Sequence, residues 1–134
     1  MALMSKAAIV TGAAQGIGKA IAARLVKDGM RVAIVDINQE AAVAAAEELA
    51  GQYGADTMAV QCDVSQEEQV NTAVQKVLER FGTVDVLVNN AALPLTTPIM
   101  EIDVEEFDRV TSTNLRGTFV GCQTIGRYFS QPQR

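Results

Sequence analysis

Thr11-Gly12-Ala13-Ala14-Gln15-Gly16-Ile17-Gly18 decides how the rest of this chain is read. An apolar run, Ala7-Ala8-Ile9-Val10, leads into it, and Ile17, Ile21 and Leu25 follow at helical spacing. The order is strand, glycine turn, helix. Glycine has no Cβ, so it accepts positive φ and lets a ligand's phosphates come close to the backbone. A helix beginning at the turn aims unpaired N–H groups and the positive end of its dipole at the same point. Gly12, Gln15, Gly16, Ile17 and Gly18 are therefore candidate phosphate-cradle residues. A glycine pattern alone is weak support, so the flanking chain has to agree with it.

Strand-like and helical runs alternate outward from the turn. The first strand covers about Lys6 to Val10, and its helix runs from Gly16 to about Asp28, stopping at Gly29. Arg31 to Val35 is a short buried strand ending at Asp36. Asn38 caps an alanine-rich helix that Gly54 breaks. Thr57 to Cys62 forms the third strand, with Asp63 and Val64 at its carboxyl end. Ser65-Gln66-Glu67-Glu68 reads as a capping box, and Val70, Ala73, Val74, Val77, Leu78 and Phe81 trace one helical face up to Gly82. Val84 to Val88 is the fourth strand, closed by Asn89-Asn90-Ala91-Ala92. Asp103 and Glu106 form a second capping box, opening one long helix to about Phe129. The polar tail 130–134 is expected to fray. Alternation of this kind predicts an α/β fold: a doubly wound parallel sheet in the order 3-2-1-4 with helices on both faces. Ligands of such sheets bind beyond the carboxyl ends of the strands, at the switch point between strands 1 and 4.

The totals narrow the function. The chain has 134 residues, a net charge of −5 and no histidine. An acidic chain lacks the basic face that nucleic acid or an anionic membrane requires. The missing histidines remove the commonest metal ligand and general base. Cys62 and Cys122 fit no metal spacing and read as buried, reduced thiols. No signal-peptide pattern and no bilayer-length apolar run appears, so a cytoplasmic protein is expected.

Asp36 falls about 20 residues after the glycine turn, where an acid accepts hydrogen bonds from an adenosine ribose; it is also an ordinary position for a turn aspartate. Its charge repels a 2′-phosphate, and Gln15 and Ile37 beside it carry none, so the expected cofactor is NAD. Asp63 suits an adenine amino group and the Val64 N–H a ring nitrogen; a turn acid ahead of Ser65 is the alternative. Asn89 and Asn90 fit side-chain ties between strand ends, or plain turn chemistry. Asn114 lies inside the last helix on the stripe of Val110, Thr118 and Cys122. A mid-helix asparagine implies a partner or a local distortion.

Thr-Gly-x3-Gly-Ile-Gly at 11–18, Asp36, Cys62-Asp63-Val64, Asn89-Asn90-Ala91-Ala92 and Asn114 stand in one order and spacing. Together they resemble the short-chain dehydrogenase/reductase family over about residues 5 to 129, the first half of the family's usual chain. The likeness implies a partial NAD-binding Rossmann domain over residues 1–129 and hydride transfer on a small alcohol or ketone. It also implies that Asn90 and Ala91 sit at the cofactor, that Thr11 and Asn89 link strands 1 and 4, and that Asn114 is an active-site asparagine holding a water for a catalytic lysine. Ala92 stands where the family more usually has glycine. The detail around Ala8–Asp36 and Thr97–Gly121 is similar to polyol and sugar-alcohol dehydrogenases.

The family's proton chemistry uses a serine, a tyrosine and a lysine four residues after that tyrosine. Here Tyr53 is followed at that distance by Thr57 and Tyr128 by Pro132, and lysines stand only at 6, 19, 27 and 76. The expectation is a truncated cofactor-binding portion, inactive alone, with an open edge on the fourth strand and Phe119, Ile125 or Phe129 exposed on the last helix. Two alternatives accompany it: half of an enzyme completed by another chain, or a non-catalytic subunit that pairs with full-length relatives through the last helix. Homo- or hetero-oligomers fit that helix.

Overall fold

The computed structural model describes residues 5–132. Its centre is a four-stranded parallel sheet in the order β3-β2-β1-β4. The strands are β1 (Ala7–Thr11), β2 (Arg31–Asp36), β3 (Thr57–Gln61) and β4 (Val86–Val88). Between them run α1 (Gly16–Lys27), α2 (Gln39–Tyr53) and α3 (Glu67–Phe81); α4 (Val104–Thr111) and α5 (Gly117–Phe129) follow β4. Val10 of β1 faces Ile34 on one side and Val88 on the other. On its far side β4 meets no strand among the described residues.

Strand side chains alternate between faces, so consecutive residues feed two separate cores. Ala8, Val10, Val32 and Ile34 pack with Ala22 and Val26 of α1 and with Ala42, Ala45 and Leu49 of α2. Ala7, Ile9, Ala33, Val35 and Val60 pack instead with Val70, Val74, Val77 and Phe81 of α3 and with Val120 and Ile125 of α5. Strands buried on both faces read as unbroken apolar runs, which is what β1 and β2 are. The helical face expected on α3 is the face that is buried, with Leu78 at its margin.

Most punctuation falls where it was expected. Asn38 Oδ1 accepts the Ala41 N–H at 3.0 Å, and Gly29, Gly54 and Gly82 close their helices at φ +97°, +63° and +78°. The first capping box does not form. α3 starts after Gln66, whose side chain makes no capping bond. Ser65 is engaged elsewhere: its N–H and hydroxyl donate to Asp63 Oδ1 at 3.0 and 2.7 Å, so the nearer carboxylate has captured the cap residue in a turn. The second box is half formed. Asp103 Oδ1 accepts the Glu106 N–H at 2.7 Å, while the Glu106 carboxylate takes the Thr97 hydroxyl.

Three further expectations need correction. The fourth strand is shorter than Val84–Val88, because the Asp85 carboxylate rather than ladder geometry receives the Ala7 N–H, at 2.9 Å. Cys122 is exposed on α5, and only Cys62 is buried; both are free thiols. On the last helix Phe119 and Phe129 are exposed, at 59% and 39%, whereas Ile125 is inside the core at 3%. Of the tail, Ser130 and Gln131 still bond to Gly126 and Tyr128, and residues 133 and 134 lie outside the described residues. No helix among the described residues is long and apolar enough to cross a membrane.

Candidate functional site

β1, β2, β3 and β4 all release their chains at one edge of the sheet, and the glycine turn lies at its centre. Its glycines meet three separate demands. Gly12 has φ +63°, and a Cβ there would stand 2.8 Å from the Ala91 Cα. Gly16 has φ +61° and open space where its Cβ would be, so its backbone presents a bare surface. Gly18 sits so close under the turn that a Cβ would be 2.3 Å from the Gly12 carbonyl oxygen and 2.4 Å from Asn90 Nδ2. Gln15 precedes α1 in extended conformation without capping it, and the first turn carries no acid. The helix's leading N–H groups and positive dipole end are left for an anion.

The turn is held from both flanks. Asp36, at the end of β2, accepts the Ala14 N–H on Oδ2 at 3.1 Å and the Asn38 N–H on Oδ1 at 3.0 Å. Two of its lone pairs remain for other donors. On the other flank the buried Thr11 hydroxyl receives the N–H groups of Asn90 and Ala91, each at 3.0 Å. The Asn90 amide donates to the carbonyls of Thr11 and Gly12 at 3.1 and 3.2 Å. Strands 1 and 4 are thus clasped by Thr11 and Asn90. Asn89, expected in that role, points to the opposite face, where its Nδ2 donates to Cys122 Sγ at 3.4 Å. Alternation along the strand explains the exchange: neighbouring residues face opposite sides.

At the end of β3 the Asp63 N–H donates to Gln69 Oε1 at 2.8 Å, while its carboxylate holds Ser65 through Oδ1. Burial, with the Asp63 carboxylate alongside, pushes the Cys62 thiol up from 9.0 to about 11. It is protonated at neutral pH and has no nucleophilic character there.

The long helix expected after Asp103 is broken by a π turn over Ser112–Arg116. Asn114 lies in that turn and also has a partner. Its Oδ1 accepts the Leu93 N–H at 2.7 Å and its Nδ2 donates to the Leu93 carbonyl at 2.9 Å. A partner or a distortion was expected of a mid-helix asparagine, and both occur. Two glycines then let the limb close on the sheet. A Cβ on Gly117 would meet Val64 Cγ2 at 2.7 Å, and one on Gly121 would meet Asn89 Oδ1 at 2.5 Å.

These pieces enclose a cleft of about 770 Å3 over the strand ends, within the range of small-molecule and cofactor sites. Gly12, Gln15, Gly16, Asp36, Ile37, Asp63, Val64, Asn90 and Ala91 line it, as a group read from sequence alone. The other three candidates do not. Ile17 is 75% exposed, Gly18 packs beneath the turn, and Asn114 acts on Leu93 behind the lining. Sequence reading missed Leu93 and the trio Arg109, Ser112 and Thr113. The trio's spacing of three and four places it on one helical face, but nothing local says that this face borders the cleft.

Fold and cleft together define a doubly wound, Rossmann-like domain with its open cleft at the switch point. The short chain dehydrogenase model matches residues 6–134, and the chain belongs to that family. It is 43% identical to sorbitol dehydrogenase of Cereibacter sphaeroides over 95% of this chain and 48% of that protein. Similarity to D-threitol dehydrogenase of Mycolicibacterium smegmatis is 42% identity over 93% of this chain and 48% of that one. Among solved structures, NAD+-bound xylitol dehydrogenase superposes with a TM-score of 0.89 at 33% identity, covering 95% of this chain and 49% of that chain. The chain spans about half the length of the curated relatives it matches.

Proposed function

We propose that these residues bind NAD and form the cofactor half of an oxidoreductase that moves hydride between a small polyol and the corresponding ketone. The observation that carries the reading is the glycine cradle: two left-handed glycines at an uncapped helix start, with Asp36 at the next strand end. A Cβ at either position would strain the backbone, and side chains there would fill the surface a pyrophosphate needs. Bound NAD supplies the hydride acceptor at its nicotinamide ring. Gly12, Gln15 and Gly16 receive the pyrophosphate. Asp36 takes the adenosine ribose hydroxyls and repels a 2′-phosphate, and the uncharged Ile37 does nothing to offset that, so NAD is favoured over NADP. Asp63 and Val64 receive the adenine. Asn90 and Ala91 act through Thr11 by fixing the cradle.

Asn114 is a positioning residue in this reading. Its amide makes one bond at each polar end to Leu93, which holds the strand-4 loop at the cleft, and a lone pair and an N–H remain for a water. The serine, tyrosine and lysine for proton transfer come from polypeptide outside these residues. A polyol substrate is inferred from the likeness to sorbitol and D-threitol dehydrogenases. Self-association through the last helix has support in the exposed Phe119, with Leu115 exposed in the π turn just before it. We place the activity in the cytoplasm, where an exposed, unpaired thiol such as Cys122 stays reduced.

Fluorescence titration with NADH tests the reading. The expected result is saturable binding that Asp36→Ala weakens about tenfold, and no NADH formation from NAD and sorbitol, xylitol or threitol by these residues alone. Folded protein with no response to NADH would overturn the cofactor assignment, and steady turnover would overturn the division of labour.

A further inference from the structure

The cleft lining carries three charged residues, Asp36, Asp63 and Arg109. Among the described residues Arg109 is the one cationic group on that lining, beside two acids and facing the place of an anionic pyrophosphate. Its guanidinium also has no partner among the described residues. Arg24 is held by Asp28, Arg31 by backbone carbonyls and Arg80 by Asp56. Glu105 stands one turn before Arg109 at the spacing of a helical ion pair, yet no such pair forms.

The position of α4 decides which part of the ligand this cation meets. Gly117 is seated against Val64, with its would-be Cβ 2.7 Å from Val64 Cγ2. Thr113 and Arg109 precede Gly117 at intervals of four on the same face. The seat of Gly117 on Val64 turns this stripe toward the β3 end, and Arg109 lines one cleft with Asp63, Val64, Ser65 and Gln66 as well as with the glycine turn. The glycine turn is attached to the other side of the sheet's centre, through Thr11 and Asn90. No aromatic side chain among the described residues lines the cleft, so a purine there meets no ring from them to stack on. A planar guanidinium provides a flat, weakly hydrated face suited to that task.

We infer that Arg109 covers the adenine ring of the dinucleotide by stacking its guanidinium on the base, and so sets the affinity of the adenosine half. The inference rests on the NAD reading above. Two ligand halves, AMP and nicotinamide mononucleotide, are titrated calorimetrically against the wild type, Arg109→Ala and Arg109→Lys, with NADH as the reference ligand. Alanine is favourable at an exposed helix position, so the fold is retained. AMP affinity is expected to fall about fivefold in Arg109→Ala, with little recovery in Arg109→Lys, while nicotinamide mononucleotide is unaffected. Unchanged AMP binding overturns the inference, as does an equal loss for both halves. Full rescue by lysine also overturns it, because charge alone would then suffice. A wild type that binds NADH while Arg109→Ala leaves AMP unchanged condemns Arg109 only; a wild type that ignores NADH removes the cofactor reading and this inference with it.

Discussion

The glycine turn and the α4–α5 limb border the same cleft, but different forces shape them. The turn is set by backbone conformation: Gly12 and Gly16 have φ +63° and +61°, and Gly18 is pressed against a main-chain carbonyl. The limb is set by side chains arriving from far along the sequence. Asn114 grips Leu93, Gly117 receives Val64, and Gly121 receives Asn89. A backbone obstruction has nowhere to go, whereas a side chain can rotate away. The turn should therefore be brittle and the limb adaptable.

Gly18→Ala breaks the comparison most severely, because the new methyl would meet the Gly12 carbonyl oxygen at 2.3 Å. Urea denaturation is expected to show a loss of about 3 kcal/mol or more. The two thiols give the next contrast. Raised to about 11, Cys62 has a thiolate fraction about a hundredfold below that of an ordinary thiol. Mass spectrometry after iodoacetamide at pH 8 should find Cys122 labelled and Cys62 labelled only on unfolding. Because the folded state holds the Cys62 proton more tightly than the unfolded chain does, its contribution to stability is complete below pH 9.0 and is lost as pH rises toward 11. Cys62→Ala should flatten that slope.

Asn114→Ala removes two bonds to one residue, a loss of about 1–2 kcal/mol. The sharper readout is faster exchange of the Leu93 amide hydrogen with the glycine turn unaltered. Gly121→Ala is the mildest: its methyl meets the Asn89 amide, a side chain able to move, and about 1 kcal/mol is expected. A loss equal to that of Gly18→Ala would erase the distinction between the two regions.

The same distinction explains what the sequence revealed. Gly12, Gly16 and Asp36 act through local conformation and a fixed offset along the chain, so they were legible, as was a sheet covered by helices on both faces. Asn114 advertised a distortion because asparagine is a poor mid-helix residue, although Leu93 as its partner was invisible. Ser65 misled because Asp63, two residues away, competed for it. Asn90 holds the clasp expected of Asn89 because one residue's difference in register selects the face, and the resemblance did not settle that register. Arg109 went unnoticed because its position depends on where Gly117 lands, a contact with Val64 across the cleft.

Thr11 and Asn90 clasp the ends of β1 and β4 from 79 residues apart. A ribosome adds about 5–20 residues per second, so the first turn waits on the order of 4–16 seconds for its clasp to be synthesised. During that interval the nascent chain exposes an apolar parallel strand with an open side, and parallel pairing between distant segments forms slowly. Expression yield should accordingly respond to translation speed and chaperone supply as well as to the stability of the finished fold.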